Sequence, residues 1–244
     1  MSRNRSDRSD PIASQDAPGN EPSERGGDGV TVSLSELAYE RILDMLFGRE
    51  LPAGAFVSQN ELVKLIGVPV APLRDALRVL QTEGLLTIHP RSGIRFMKAD
   101  FEFARNTYQF RAILERPAVR TFAETAPQGL LDGLVKRHER AMETLDRDGF
   151  TSAIAPEIVA IDAELHFEII GALGNVLVGS TYRRVHNYLQ LIRLDRTLTT
   201  PIVQRTLREH MLLLEACRAR DADAAEAALQ THFSNALQRT MGIF

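Results

Sequence analysis

The order of hydrophobic periodicities along the 244 residues predicts a mainly α protein: an N-terminal winged helix-turn-helix domain followed by an all-α helical-bundle domain. Three observations predict it. Short helical patterns alternate with strand-like runs between about residues 33 and 97; strand signals vanish after Phe101; and the rest reads as six long helical patterns broken by Pro or Gly. These shifts divide the chain into a disordered tail (1–30), a first domain (31–99) and a second (100–244).

Residues 1–30 are dense in Ser, Arg, Asp, Gly, Pro and Asn, with scarcely any large apolar side chain to offset the entropy of ordering. Order is expected to begin at Ser33, which with Glu36 forms a capping-box pattern. Leu37, Ile42, Leu43 and Leu46 then make an apolar stripe to about Phe47. Gly48 and Leu51-Pro52-Ala53-Gly54 turn the chain. Ala55-Phe56-Val57 is a short strand candidate, 60–66 a second helix closed by Gly67, and a third helix runs from Val70 or Ala71 to Glu83, stopped by Gly84. The runs Leu85-Leu86-Thr87-Ile88 and Ile94-Arg95-Phe96-Met97 flank a basic, glycine-containing tip at His89-Pro90-Arg91-Ser92-Gly93. A short helix, a glycine turn, an amphipathic helix and a two-stranded wing place the start of the third helix where a DNA major groove can be read. Arg74, Arg78, Arg91 and Arg95 are the cations near that surface.

Beyond Phe101, helices are expected near 101–125, 128–147, 152–172, 175–198, 202–219 and 222–241. Four residues on them stand out. Asp162 and His166, four apart, project from one helix face. His210 and His232 lie on two further helices. One carboxylate and three imidazoles on three packed helices make an inward-facing site for a divalent metal. Three nitrogens and one oxygen suit Zn2+ first, and Ni2+, Mn2+ or Fe2+ would also fit. His89, His138 and His186 lack this pattern and read as solvent or groove residues.

A net charge of −3 excludes a binder that relies on bulk positive charge. Residues 33–99 carry eight Lys or Arg against seven Asp or Glu, a net of +1, so DNA binding would need a dimer and a few well-placed phosphate contacts. The lone Cys217 excludes an intrachain disulfide and reads as a core residue. Residues 1–29 contain no apolar signal core, and the longest uncharged apolar-rich stretch, 169–182, falls short of the roughly 20 residues a membrane helix needs. The expectation is a cytoplasmic protein without a membrane partner.

The motifs "LPAG", "ELVKLIGV", "PLRDALRVLQTEGLL" and "PRSGIRF" resemble the winged-helix domain of GntR-family transcriptional regulators. The motifs "FRAILERPAVRTFAE", "DAELHFEIIGALGN", "REHMLLLEACRARDADAAEAAL" and "THF" resemble the ligand-binding domain of its FadR branch. The resemblance implies operator contacts from Arg74 and the wing tip Arg91, Ser92 and Gly93, with Asn60, Val70, Ala71 and Arg78 completing the DNA-facing set. One departure stands out: Pro69-Val70-Ala71 occupies the place where the family usually has Ser-Arg-Thr, whose Arg is a principal base reader. Losing such a contact removes roughly 1–3 kcal/mol of discrimination per half-site. The resemblance also implies that Asp162, His166, His210 and His232 hold a metal that orients a small carboxylate effector, with Arg111 as its cationic partner. Arg193 or Arg196 on the fourth helix of the domain is a further candidate, and for each of the three arginines a structural salt bridge is an equal reading.

The expected function is that of a homodimeric repressor binding double-stranded operator DNA and responding to a small organic acid. Two alternatives stand beside it. A metal-dependent hydrolase would need a base at the open site, but Glu164 is two residues from both ligands and should point away, and Glu168 is poorly aimed. A degenerate regulator would keep the fold and lack specific DNA reading.

Overall fold

In the computed structural model, residues 32–194 and 197–240 are described; the expected tail (1–30) and Arg196 lie outside them. Helix α1 (Leu34–Phe47) starts at the expected capping box: Ser33 Oγ accepts from the Glu36 amide at 3.2 Å, and the Glu36 carboxylate accepts from the Ser33 amide at 2.8 Å. A second capping box, Ser58 with Glu61, starts α2 (Gln59–Ile66) one residue earlier than the sequence reading placed it. Gly67 closes α2 in the left-handed region (φ 71°), a conformation a Cβ would penalise, and turns the chain into α3 (Val70–Thr82).

Strands β1 (Phe56–Val57), β2 (Leu86–His89) and β3 (Gly93–Phe96) form an antiparallel sheet with β3 in the centre. The register pairs Phe56 with Arg95 and His89 with Gly93. A Cβ at Gly93 would stand 2.8 Å from the Val57 carbonyl oxygen and 2.9 Å from the Phe56 ring, so glycine is required there. The core of this head is built from Ile42, Leu46, Leu62, Leu73, Leu77 and Leu80, all buried.

The second half consists of α4 (Phe101–Thr125), α5 (Gln128–Asp148), α6 (Ala155–Gly171), α7 (Val176–Leu194), α8 (Thr200–Arg218) and α9 (Ala222–Thr240). The six expected helices are present, with α6 starting three residues later because residues 152–154 form a turn, and α7 ending at Leu194, short of the expected 198, since residues 197–199 are not helical. Helix α4 continues through Pro117, which is exposed, so the missing amide leaves no buried gap. The α4 helix packs on α9, α6 and α7, and α9 packs on α8. Among the described residues, no helix is long and apolar enough to cross a membrane.

Helix α7 joins the two cores. Leu191 is 1% exposed and sits inside the head's core, while Tyr182, Val185, Leu189 and Ile192 belong to the bundle. Polar contacts reinforce the join. The Tyr188 hydroxyl donates to the Glu83 carbonyl at 2.6 Å, Asn187 donates to the Tyr39 hydroxyl at 3.2 Å, and Tyr39 in turn donates to the Glu83 carboxylate at 2.8 Å. Leu191→Ala should therefore destabilise the protein by about 2–5 kcal/mol. In chemical denaturation it should also split one transition into two, because the head loses its plug; a single unshifted transition would show that α7 does not couple the cores.

Candidate metal centre

The site is assembled from positions that should, by helical spacing, hold core hydrophobes. On α8 the buried run is Val203, Leu207, His210, Leu214, Cys217; on α9 it is Ala225, Leu229, His232, Ala236. Imidazoles have replaced aliphatic side chains in both stripes. On α6, Asp162 and His166 lie one turn apart within the stripe that includes Ile158, Leu165 and Ile169. The structure brings the four together: one ligand atom from each of Asp162, His166, His210 and His232 lies within 4.8 Å of the others, and all four residues are buried. That is close to the ~4 Å span across a cation with bonds of ~2.0–2.2 Å.

Each imidazole is fixed through its Nδ1. The His138 Nδ1 lies 2.8 Å from the Leu134 carbonyl, which can only accept, so His138 carries its proton there and offers Nε2 as an acceptor. The His210 Nδ1, 3.1 Å away, donates to that Nε2. His166 Nδ1 donates to Glu115 at 2.6 Å, and His232 Nδ1 donates to Glu209 at 2.8 Å. All three rings are thereby left with an Nε2 lone pair directed away from these partners. Among the described residues, three buried side-chain polar atoms have no hydrogen-bond partner: His166 Nε2, His210 Nε2 and Arg111 Nη2. Buried polar atoms without partners are rare and call for an explanation. Lone pairs converging beside a carboxylate fit a divalent cation.

Charges surround this cluster in pairs. Glu115 accepts from Arg111 Nε at 2.5 Å and from the Tyr182 hydroxyl at 2.8 Å. Burial opposes its charge, yet Arg111 and His166 hold it at about 2. Glu209 accepts a two-pronged contact from Arg239 and a bond from Asn235; burial is again overcome and the carboxyl sits at about 2. Asp162 accepts from Arg193 at 2.5 Å, and against its burial that cation keeps it well below the ordinary carboxylate range. Arg111 also lies over the Phe233 ring at 4.5 Å.

Sequence reasoning named the four cluster residues and the two arginines, and the structure brings all six to one place. It missed Glu115 as a histidine partner, and it missed Glu209, Arg239 and Tyr182. Its reading of His138 as a solvent or groove residue is corrected: His138 is fully buried and bonded to His210. His186 is half-buried against Phe167 rather than solvent-facing, while His89 is exposed. The missed signal was available, since His138 continues the α5 stripe Leu131, Leu134, Ala141, Leu145. Glu164 points away as expected and pairs with Arg137. Glu115 and Glu209, the carboxylates beside the cluster, are each held by an arginine and a histidine, which leaves neither poised as a hydrolytic base.

Of the residues assigned to the head, Asn60, Val70, Ala71, Arg74, Arg78, Arg91 and Ser92 are exposed, and Gly93 lies within the sheet. Arg74 Nε donates to Gln59 Oε1 at 3.1 Å, and Arg78 pairs with Asp75.

Two measurements test this geometry. His138→Leu removes the acceptor for the His210 Nδ1–H, so zinc affinity should fall about 10–100-fold in a competition titration; unchanged affinity would mean that His138 only fills space. The second concerns pH. Burial pushes His232 down to about 4 and His210 well below its ordinary value. Between the ~6.5 of an unfolded histidine and about 4, the unfolded chain binds protons that the folded chain refuses, so stability falls as pH falls through that window. The urea midpoint of chelator-treated protein should drop between about pH 7 and 5; a constant midpoint would contradict buried neutral rings.

Comparison with known proteins places this architecture. The family described as bacterial regulatory proteins, gntR family, matches residues 34–96, and the FCD domain matches residues 106–235. The Nta operon transcriptional regulator of Aminobacter aminovorans is 30% identical over 199 residues, 78% of this chain and 88% of that protein. The transcriptional repressor NanR of Citrobacter rodentium is 25% identical over 224 residues, 83% of each chain. The structure of McbR/YncC from E. coli superposes with a TM-score of 0.71 at 17% identity, covering 87% of this chain and 99% of that one, which shows a shared fold. The chain belongs to the GntR family of bacterial transcriptional regulators, with a GntR winged helix-turn-helix head and an FCD domain behind it.

Proposed function

We propose that this regulator is a metal-dependent repressor that leaves its operator when a small carboxylate metabolite binds in the FCD domain. The observation that carries the reading is the set of Nε2 lone pairs converging beside Asp162, two of them on buried atoms without a hydrogen-bond partner. Asp162, His166, His210 and His232 would hold the metal, Zn2+ first by donor chemistry. A divalent cation would supply a local positive charge able to accept a carboxylate oxygen as a further ligand. Arg111 and Arg193 line the same pocket and offer guanidinium groups to an acid, Arg111 through its unpartnered Nη2.

The head supplies the other half of the reading. Arg74 is exposed, and its bond to Gln59 uses only Nε, leaving the two Nη groups for a guanine edge. Val70 is 39% exposed at the start of α3, where an apolar surface suits a thymine methyl. Arg91 and Ser92 at the wing tip, with Asn60 and Arg78, complete the DNA-facing set. A homodimer on a palindromic operator presents two such heads about 34–36 Å apart. Helix α7 carries the signal. Its Arg193 holds Asp162 and its Tyr182 holds Glu115, while Tyr188 and Leu191 grip the head. An acid that draws Arg193 from Asp162 shifts the balance between two placements of α7.

Arg74→Ala should weaken operator binding by roughly 1–3 kcal/mol and relax base preference at one position per half-site. A gel-shift titration on the DNA upstream of its own gene, at moderate salt with competitor, would overturn the reading if the unaltered protein showed no sequence preference. Small carboxylates should raise the melting temperature of zinc-loaded protein and release the DNA. If chelation or His210→Ala left both effects intact, the metal would have no part in them.

A further inference from the structure

The pocket beside the cluster has two chemically distinct ends. The cavity, about 90 Å3, reaches from Arg111, Arg193 and Arg239 at the cluster to the first turns of α6 and α8. On α6 its wall is Ile158 and Val159, one turn before Asp162. On α8 it is Ile202, Val203 and Leu207, up to eight residues before His210. At 1.5 Å per residue, this aliphatic section extends roughly 12 Å along α8 away from the imidazole. The two helices share that end of the bundle: Ile158 and Ile161 pack with Val203 and Leu207 in one buried cluster. Among the described residues, the polar side chain on this stretch of α8 lining is Thr206, and its hydroxyl donates to the Ile202 carbonyl at 3.0 Å.

We infer that the effector is a carboxylate bearing a short saturated hydrocarbon tail, not a polyhydroxylated acid. The inference rests on the carboxylate reading above and adds the chemistry of the rest of the molecule. The charged end receives the carboxylate; the aliphatic end receives the tail. A polyol placed there would meet two side-chain hydroxyls in the lining, Thr206 and, on α4, Tyr108, fewer than it brings, and each unmatched hydroxyl weakens binding. A methylene placed there leaves water for aliphatic contacts, which strengthens binding about fourfold per carbon. The volume sets the length. It is several times the ~10–15 Å3 that one water requires, enough for a few carbons.

The test is calorimetry on the zinc-loaded full-length chain with acetate, propanoate, butanoate and pentanoate, and with xylonate, which matches pentanoate in carbon number. Affinity should climb about fourfold per added carbon until the cavity is full, and xylonate should bind at least about tenfold more weakly than pentanoate. Ile202→Asn should flatten the series while zinc affinity stays unchanged. Thr206→Val, a near-isosteric change, should preserve or tighten pentanoate binding and weaken xylonate further. Xylonate binding as tightly as pentanoate, or a slope unaltered in Ile202→Asn, would overturn the inference and leave the carboxylate reading standing. Pentanol binding as tightly as pentanoate would overturn the carboxylate reading instead. Failure of every acid to bind would overturn both.

Discussion

The structure depends on the direction of three protons. His166, His210 and His232 each give the Nδ1 proton to a partner behind the ring, and this leaves the lone pairs on the other side. An imidazole in the other tautomer would present a proton to the cluster and repel a cation. Glu115, His138 and Glu209 remove that choice by accepting at Nδ1. Helices α4, α5 and α8 carry these partners, so the bundle's packing and the orientation of the imidazoles are one arrangement. Stable packing of α4 against α6 and of α8 against α9 is a precondition for the chemistry at the centre.

Charge accounting explains why such a centre would favour an acid. Around the cluster, Arg111, Arg193 and Arg239 face Glu115, Asp162 and Glu209, three cations against three carboxylates, in hydrogen-bonded pairs. Buried pairs of this kind offset their own desolvation only when both members are present. The three pairs balance one another. A divalent cation would add two positive charges to them, which an anion entering the pocket would offset in part and a neutral ligand would not.

The architecture was legible in the sequence because it rests on local signals. Capping box Ser33/Glu36, glycine stops at Gly67 and Gly84, and a change from mixed to purely helical periodicity at Phe101 locate the elements within a few residues. The Asp162/His166 pair was legible because two metal-type ligands one turn apart need no knowledge of packing. His138, Glu115 and Glu209 were not recognised, for a different reason in each case. His138 sits one per stripe with no second ligand on its helix, and only its phase with Leu134 and Ala141 reveals that it is inside. Glu115 looks like the far end of an i,i+4 ion pair with Arg111; that it also bonds His166 on α6 is a fact of tertiary packing. Glu209 adjoins His210 in sequence but serves His232 on another helix. The apolar end of the pocket was equally hidden, because Ile158 and Ile202 read as ordinary core positions until the cavity between their helices is seen.

A head with nearly balanced charge has consequences for how such a sensor can work. Residues 33–99 differ by one charge between cations and anions, so little of the binding energy can come from a general field around DNA. What remains is a small set of positioned contacts, and these tolerate little displacement. In the homodimer proposed above, two heads would meet two half-sites at once, and their contributions would multiply only when the spacing is right. On that proposal, a shift of α7, transmitted through Leu191 and the Tyr188 hydroxyl, would need to misplace the heads only slightly to forfeit one of the two sites. A strongly basic head would hold on to phosphates through the same displacement. On the proposed reading, the modest charge of this one would keep DNA binding dependent on geometry, and geometry is what a ligand in the pocket between α6, α7 and α8 would change.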